Sequence, residues 1–394
     1  MSPLLVIFLT VLVDLIGFGI VIPLLTFYAE AYGASAMQVT LLMACYSAAQ
    51  FLFAPLWGAL SDRHGRRPVL LLSILMASLM LAGFAWADEL WLLFLFRTVH
   101  GVFAANISVA QACIADLTTP ENRARGMGML GAAFGLGFTL GPWIGGEFSV
   151  YGLSAPIWVA AALSGVNFLM AVVMLPETRA PGTGPARARP IHPGAFLQVI
   201  RHPAVGRLIT LFFLMTFAFS MMEATFSLFE EHRYGLTARD VGRVLGLIGV
   251  VGIVVQGGLI GRLTRRFGEL RLVRVGITGL ALTLVLLPFA PPWAPLLAVC
   301  GLLAVFQGLL QPSSQALISK RTSAEEQGFV LGTNQSLSAL ARATAPTLGG
   351  LLFAKVALGA AFIAGAALLG LGSFVALGIR PDPSGHAEGP PGAA

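Results

Sequence analysis

Apolar residues in this chain fall in long blocks separated by short polar breaks, near 4–27, 37–60, 69–87, 90–114, 126–148, 155–175, 207–229, 241–261, 272–290, 295–318, 328–354 and 357–379. Each block is close to the roughly 20 residues that a helix needs to cross a hydrocarbon core about 30 Å thick. Barrel strands would be shorter and would alternate apolar with polar. In lipid, only a helix or a closed barrel satisfies its own backbone. The pattern therefore predicts an all-α polytopic membrane protein with twelve transmembrane helices.

Composition narrows the picture further. Hydrophobic residues make up 57% and charged residues 11% of the 394, whereas a soluble domain carries about 25% charge. Twelve spans consume roughly 240 residues, which leaves little chain for a soluble catalytic domain. The net charge of +6 is spread over short loops, with no basic stripe for a nucleic acid. Cys45, Cys113 and Cys300 all lie in apolar blocks and read as small packing residues. The first block begins without a preceding Lys or Arg and is longer than a signal-peptide core, so it is expected to be retained as a span.

The two halves repeat. Gly58-Ala59-Leu60-Ser61-Asp62-Arg63-His64-Gly65 after the second block returns as Gly261-Arg262-Leu263-Thr264-Arg265-Arg266-Phe267-Gly268 after the eighth. Gly141-Pro142-Trp143-Ile144-Gly145-Gly146 returns as Ala345-Pro346-Thr347-Leu348-Gly349-Gly350, and Gln111-Ala112-Cys113-Ile114 as Gln315-Ala316-Leu317-Ile318. Parallel six-span repeats are a transporter signature, with the substrate site between the halves near mid-membrane. The predicted organisation is an N-terminal six-helix bundle over 1–176, a linker rich in Pro, Gly and Arg over 177–206, a C-terminal bundle over 207–379, and a disordered tail over 380–394. Placing the N-terminus in the cytoplasm puts eighteen of the 24 basic residues on that side, so both termini are expected to be cytoplasmic.

At these residues the chain resembles a known family. Gly58 to Pro68 looks like the signature loop of the major facilitator superfamily. Leu93-x-x-x-Arg97-x-x-His100-Gly101 resembles its fourth-span motif, and Gly137-x-x-x-Gly141-Pro142-x-x-Gly145-Gly146 the fifth-span motif of its drug/proton antiporters. From Val13-Asp14 to Pro176-Glu177 the similarity is to the tetracycline-efflux branch, where Gln50 and Gln256 match glutamines and Asp14 matches a first-span acid. Three positions depart from that branch: Met80 and Gly279-Leu280 stand where acids are expected, and Gly252 where a histidine is.

The motifs also carry a physical reading of their own. Gly58 and Gly65 permit close approach and a tight turn, while Asp62 can pair with Arg63 or Arg66, or with the N-terminus of a facing helix. Such a cluster would latch the bundles on the inner side; the alternative is that the arginines only set topology. Gly137, Gly141, Gly145 and Gly146 let helices approach closely, and Pro142 bends the helix. This makes a seam between bundles, or ordinary glycine packing.

Charges inside spans are costly and mark ion or substrate paths. Asp14 and Glu223 are expected to be the best buried of the 18 acidic residues, with Glu147 close to an outer end. Arg97 and Arg342 need anionic partners: Arg97 is expected to face Asp14, and Arg342 to face Glu223 or an acidic group of the substrate. His100 is either a titrating group or a structural one. With these, Asp14, Glu223, Arg97, His100 and Arg342 form the candidate proton-coupling set. Gln50, Asn106, Gln256, Gln307, Gln311 and Asn334 are candidate substrate contacts with Asp14 and Glu223, or else hydrogen-bond between helices. Met222 and Phe226 add an adaptable apolar surface around Glu223.

No Walker loop, metal cluster, haem motif or nucleophile elbow is present, so neither a cofactor nor an enzymatic activity is expected. The resemblance implies a secondary transporter of the bacterial inner membrane that exports lipophilic cationic or zwitterionic drugs in exchange for protons, working as a monomer. Its partners would be a small-molecule substrate, protons and the bilayer. The alternatives are a nutrient or lipid symporter or uniporter of the same fold, and, from another class, a membrane receptor or scaffold.

Overall fold

The computed structural model describes residues 3–104, 106–118, 123–178, 198–202, 204–322 and 326–379, with the side chains of 106, 123–127, 327 and 328 outside that description. Most of the expected linker and the whole expected tail lie outside the described residues. The first half contains α1 (Pro3–Glu30), α2 (Ala36–His64), α3 (Arg66–Trp86), α4 (Leu90–Phe103), α5 (Asn106–Leu117), α6 (Arg123–Phe148) and α7 (Ala155–Met174). The second contains α8 (Gly206–Tyr234), α9 (Ala238–Ile253), α10 (Ile260–Phe267), α11 (Glu269–Leu286), α12 (Ala294–Lys320), α13 (Gln327–Lys355) and α14 (Ala360–Leu377).

α4 and α5 are two pieces of one crossing, and α9 and α10 are joined through a π-helical turn, Val254–Leu259. Eleven crossings among the described residues are long and apolar enough to span a membrane. α6, with 26 residues, has the length of a twelfth. The expected spans four and eight are thus present but interrupted, because a run of apolar residues does not reveal where the hydrogen-bond ladder changes.

Helix ends follow local chemistry, and they repeat. Ser35 caps α2 in a reciprocal box: its N–H donates to Gln38 Oε1 at 2.8 Å, and the Gln38 N–H donates back to its hydroxyl at 3.4 Å. Thr237 does the same for α9 with Asp240, at 3.0 and 3.3 Å. At the other membrane face, Gly65 (φ 98°) separates α2 from α3, and Gly268 (φ 76°) separates α10 from α11. Both are in the positive-φ region that side chains avoid, so the repeated loop motif keeps glycine there.

Within the first half α1 packs on α6 and α7, α2 on α4, and α3 on α7; within the second α8 packs on α13 and α14, and α11 on α12 and α14. The halves meet along α2–α13 and α6–α9. These meetings concentrate on the face opposite the termini. There a Cβ on Gly146 would lie 3.0 Å from Gly242 Cα, and one on Gly246 3.2 Å from Trp143. Toward the termini face, a Cβ added at Gly58, Gly131, Gly257, Gly261 or Gly332 would meet nothing within 4 Å. Leu52, Leu56, Val254 and Leu259 are exposed. The two bundles are closed on the face opposite the termini and part toward the termini.

The fifth-span glycines divide their work. A Cβ on Gly141 would come within 2.7 Å of Gly19 Cα, and one on Gly145 within 2.7 Å of the Ile20 carbonyl oxygen. A Cβ on Gly137 would press on Leu15 and Ile16. These three seat α6 on α1 inside one bundle, and Gly146 meets the other bundle. Gly141→Val is expected to lower the thermal midpoint of the detergent-purified protein, since the clash is with backbone and costs at least about 1–3 kcal/mol. An unchanged midpoint would show that α1 and α6 can separate freely.

Candidate functional site

The centre of the molecule is built from α1, α2 and α4, faced by α8 and α13. Asp14 lies in the middle of α1, half-buried, with Phe18 one turn further on the same side. Tyr46 of α2 stands 5.3 Å from Phe18, ring centre to ring centre, and 5.2 Å from His100 of α4 in an edge-on contact. The guanidinium of Arg97 lies 4.4 Å from the centre of the Tyr46 ring and 5.5 Å from that of Phe18. In this low-dielectric setting, ring faces hold a cation well.

Arg97 is only 3% exposed, and its Nε and Nη1 find no hydrogen-bond acceptor. Neither atom bonds Asp14, contrary to expectation: two aromatic faces occupy the place foreseen for a carboxylate. Phe18 and Tyr46 were not foreseen. The available signal was position, since Phe18 follows Asp14 by four residues and shares its helix face. His100 is 8% exposed and sits in the same aromatic group.

The second half brings charge to the same place. Tyr46 feels the fields of Arg97, Asp14 and Arg342 together, and Arg342 and Glu223 feel one another. Glu223 is half-buried on α8, and Arg342, deep within α13, is exposed and so faces the open space between bundles. They form no ion pair within 4.0 Å. Met222 and Phe226 are buried in the main core, and so do not line this space in the state described.

The interruption of the fourth crossing has visible compensation. Breaking a helix in lipid frees carbonyls, which need donors from neighbours. Gln50 Nε2 donates to the Ala104 carbonyl at 3.1 Å, Trp57 Nε1 to that of Val102 at 2.6 Å, and the Ser73 hydroxyl to that of Phe103 at 2.5 Å. Gln50 is therefore used in an interhelical bond. Asn106 opens α5, and its side chain lies outside the described residues.

The other candidate polar residues lie on α12, on α13 and on the π-helical turn. Gln256 is exposed on the π-helical turn, and Gln311 is half-buried on α12. Gln307 Oε1 and Asn334 Oδ1 are buried without a partner, as are the hydroxyls of Ser313 and Ser314.

At the termini face the loop motif closes on Arg66, which is 5% exposed. Its Nη2 meets Asp62 at 2.7 Å, its Nε meets Asp116 at 3.1 Å, and its Nη1 donates to the Ser61 hydroxyl at 2.7 Å. The N–H groups of Arg66 and Arg67, at the start of α3, donate to the two oxygens of Glu177 at 2.8 and 3.2 Å. A carboxylate at a helix N-terminus is favourably placed. Asp62 thus pairs with a nearby arginine, and the cluster ties α2, α3, α5 and the end of α7 within one half. Asp116 is a participant that sequence reasoning missed.

Arg66→Ala would strand two carboxylates. The expected cost is about 2 kcal/mol, below the 3–5 kcal/mol typical of fully buried pairs, because Asp62 and Asp116 keep side-chain exposures of 31% and 26%. Denaturant-dependent unfolding in detergent measures it, and a loss no greater than that of Arg63→Ala would contradict the cluster's role.

At the opposite face Glu147 joins the halves. Arg239 reaches it through Nε at 2.9 Å and Nη2 at 2.6 Å, and Arg243 through Nε at 2.7 Å. The best-buried acid is neither Asp14 nor Glu223. Glu230 on α8 is 0% exposed, and neither carboxyl oxygen has a partner. It was overlooked because Glu230-Glu231-His232-Arg233 reads as the polar end of a span, whereas α8 continues to Tyr234.

The model of the Major Facilitator Superfamily matches residues 7–289 and 257–394. The chain belongs to this superfamily. Among curated superfamily relatives, the class C tetracycline resistance protein of Escherichia coli is 36% identical over 374 residues, covering 93% of this chain and 94% of that protein. Multidrug resistance protein 2 of Bacillus subtilis (strain 168) is 29% identical, covering 87% and 86%. Among solved structures, the human organic anion transporter MFSD10 (TETRAN) superposes with a TM-score of 0.74 at 27% identity, covering 95% and 98%. The superfamily architecture explains why two six-helix bundles meet around one central space.

Proposed function

We propose that this transporter exports lipophilic cationic or zwitterionic drug-like compounds in exchange for protons, by alternating access. The observation that carries the reading is the group of opposed charges, Asp14 and Arg97 from one half and Glu223 and Arg342 from the other, around Tyr46. Buried carboxyls can trade a proton for a cationic substrate, because either one neutralises the site. In this scheme Asp14 and Glu223 exchange protons and substrate, while Arg97, Arg342 and His100 set their electrostatics. The curated relatives named for tetracycline and multidrug resistance support an export role. The unbonded donors of Arg97 favour a zwitterion over a simple cation, since an acidic group would complete them.

We further assign 1–176 and 207–379 as the moving bundles, 177–206 as their linker, and the termini face as cytoplasmic, with a monomer as the working unit. The arginine-rich loops support that orientation. On this assignment the described state is open to the cytoplasm. The test uses proteoliposomes with an imposed pH gradient and a panel of cationic, zwitterionic and anionic dyes. Export of cationic or zwitterionic dyes that collapses with the gradient is expected. Flux indifferent to the gradient would remove proton coupling, and flux of anionic dyes alone would remove the substrate class.

A further inference from the structure

α8 carries acids at two levels. Glu223 belongs to the central group, and seven residues later, two turns toward the closed face, stand Glu230 and Glu231. Glu230 has no exposed surface and no partner for either oxygen. Glu231 faces Glu30 of α1 across the junction of the two halves, with Glu231 Oε2 buried and unpartnered. His232 completes the group: its Nδ1 is tied to the Leu228 carbonyl at 3.0 Å, and its Nε2 lies 3.7 Å from Glu30 Oε1. The His232 ring also stands edge-on to Phe353 of α13, at 5.6 Å.

The surroundings offer Glu230 no counter-charge. On the elements packed around this part of α8, α14 contains no ionisable residue, and α12 contributes Cys300, which senses Glu230. α13 ends in Lys355, which is exposed. α9 begins with Arg239 and Arg243, both bound to Glu147, and with Asp240, which caps its own helix. α1 adds Glu30 and Tyr28, the turn after it Tyr32, and α2 has Cys45 and Tyr46 nearer the centre. Arg233, on α8 itself, is exposed and lies over the Tyr234 ring.

We propose that Glu230, together with the Glu30–Glu231 pair, is a proton-operated gate: the face opposite the termini closes only when these carboxyls carry protons taken from the medium on that face. An ionised carboxyl cannot be left dry without a partner, and two facing carboxylates repel, so closure requires one proton on Glu230 and one shared by the pair. Opening hydrates all three and returns the protons to the same medium. Such a rule would couple the outward-to-inward return step to proton uptake from outside. The inference rests on the alternating-access reading but not on the central acids.

The test measures distance rather than flux. Spin labels are attached at Tyr151→Cys and Val356→Cys, both exposed positions on that face in different halves, in full-length protein whose three native cysteines are replaced by alanine. In nanodiscs this background chain is expected to move from a short to a long distance as the pH rises over the range in which buried carboxyls titrate, about 5 to 9. Glu230→Gln, which leaves only the Glu30–Glu231 pair to oppose closure, should shift the midpoint upward. Glu30→Gln, which removes the facing charge and so relieves Glu231, should shift the midpoint upward, and it serves if the first variant folds poorly. Glu223→Gln is expected to leave the distance change in place even where it stops flux, which separates this gate from the central proton carrier. A background chain with no pH-dependent opening, or unchanged midpoints in both gate variants, would overturn the proposal.

Discussion

Glu223→Gln is expected to reduce pH-gradient-driven transport to the level of empty liposomes, while substrate binding and gradient-independent exchange persist. The substitution keeps the size and hydrogen-bonding reach of the side chain and removes only its ability to change charge. Glu223 sits half-buried on α8, within the field of Arg342 but outside ion-pair distance. A carboxyl permanently bonded to its arginine would hold one charge through the cycle; this one is proposed to alternate between a proton and a cationic group. Asp14→Asn should behave differently. Asp14 shares its helix face with Phe18, the ring that supports Arg97, so its loss should weaken binding of cationic substrates as well as coupling. Dye export, counterflow exchange and equilibrium binding, measured on both variants, separate these effects. Full gradient-driven export by Glu223→Gln would return that residue to a packing role.

Glu147→Gln is expected to open the face opposite the termini. One carboxylate there receives three N–H donors from two arginines on the other half. These charge-assisted contacts join α6 to α9 and exist only while that face is closed. Removing the charge leaves Arg239 and Arg243 unmatched and one turn apart, so they repel. The population open on that face should rise several-fold, and salt should mimic part of the effect, because these groups are near the surface. Rates of thiol labelling at a cysteine introduced on the Gly146 side of α6 measure it. A rate equal to that of the parent chain would mean that glycine packing alone, Gly146 against Gly242, holds the face shut.

The closing contacts also show which features can be read along the chain. The two reciprocal helix caps at Ser35 and Thr237, and the positive-φ glycines at 65 and 268, each follow from a few adjacent residues. The same holds for the spans, whose length is dictated by the bilayer, and for the repeat, visible at a nearly constant offset. Local chemistry and solvent set these features, so sequence suffices. Breaks in the fourth and eighth crossings do not follow from the local pattern. In the fourth, side chains far along the chain, Gln50, Trp57 and Ser73, supply hydrogen bonds to the carbonyls at the break.

The central site was legible only as an inventory. That Asp14, Arg97, Glu223 and Arg342 are expensive in a membrane, and therefore significant, follows from their positions within apolar blocks. What each one faces does not follow. Arg97 meets the rings of Phe18 and Tyr46, the loop-motif arginine Arg66 collects Asp62 and Asp116 from different helices, and the best-buried acid is Glu230 at a span end that looked polar. Sequence by itself determined the twelve-span, two-fold repeated membrane architecture and placed Asp14, Arg97, Glu223 and Arg342 inside it, because burial in lipid imposes its conditions on every helix separately. Partner choice, and which face of the molecule is closed, were decided only by tertiary structure, because they depend on how helices rotate and tilt against one another.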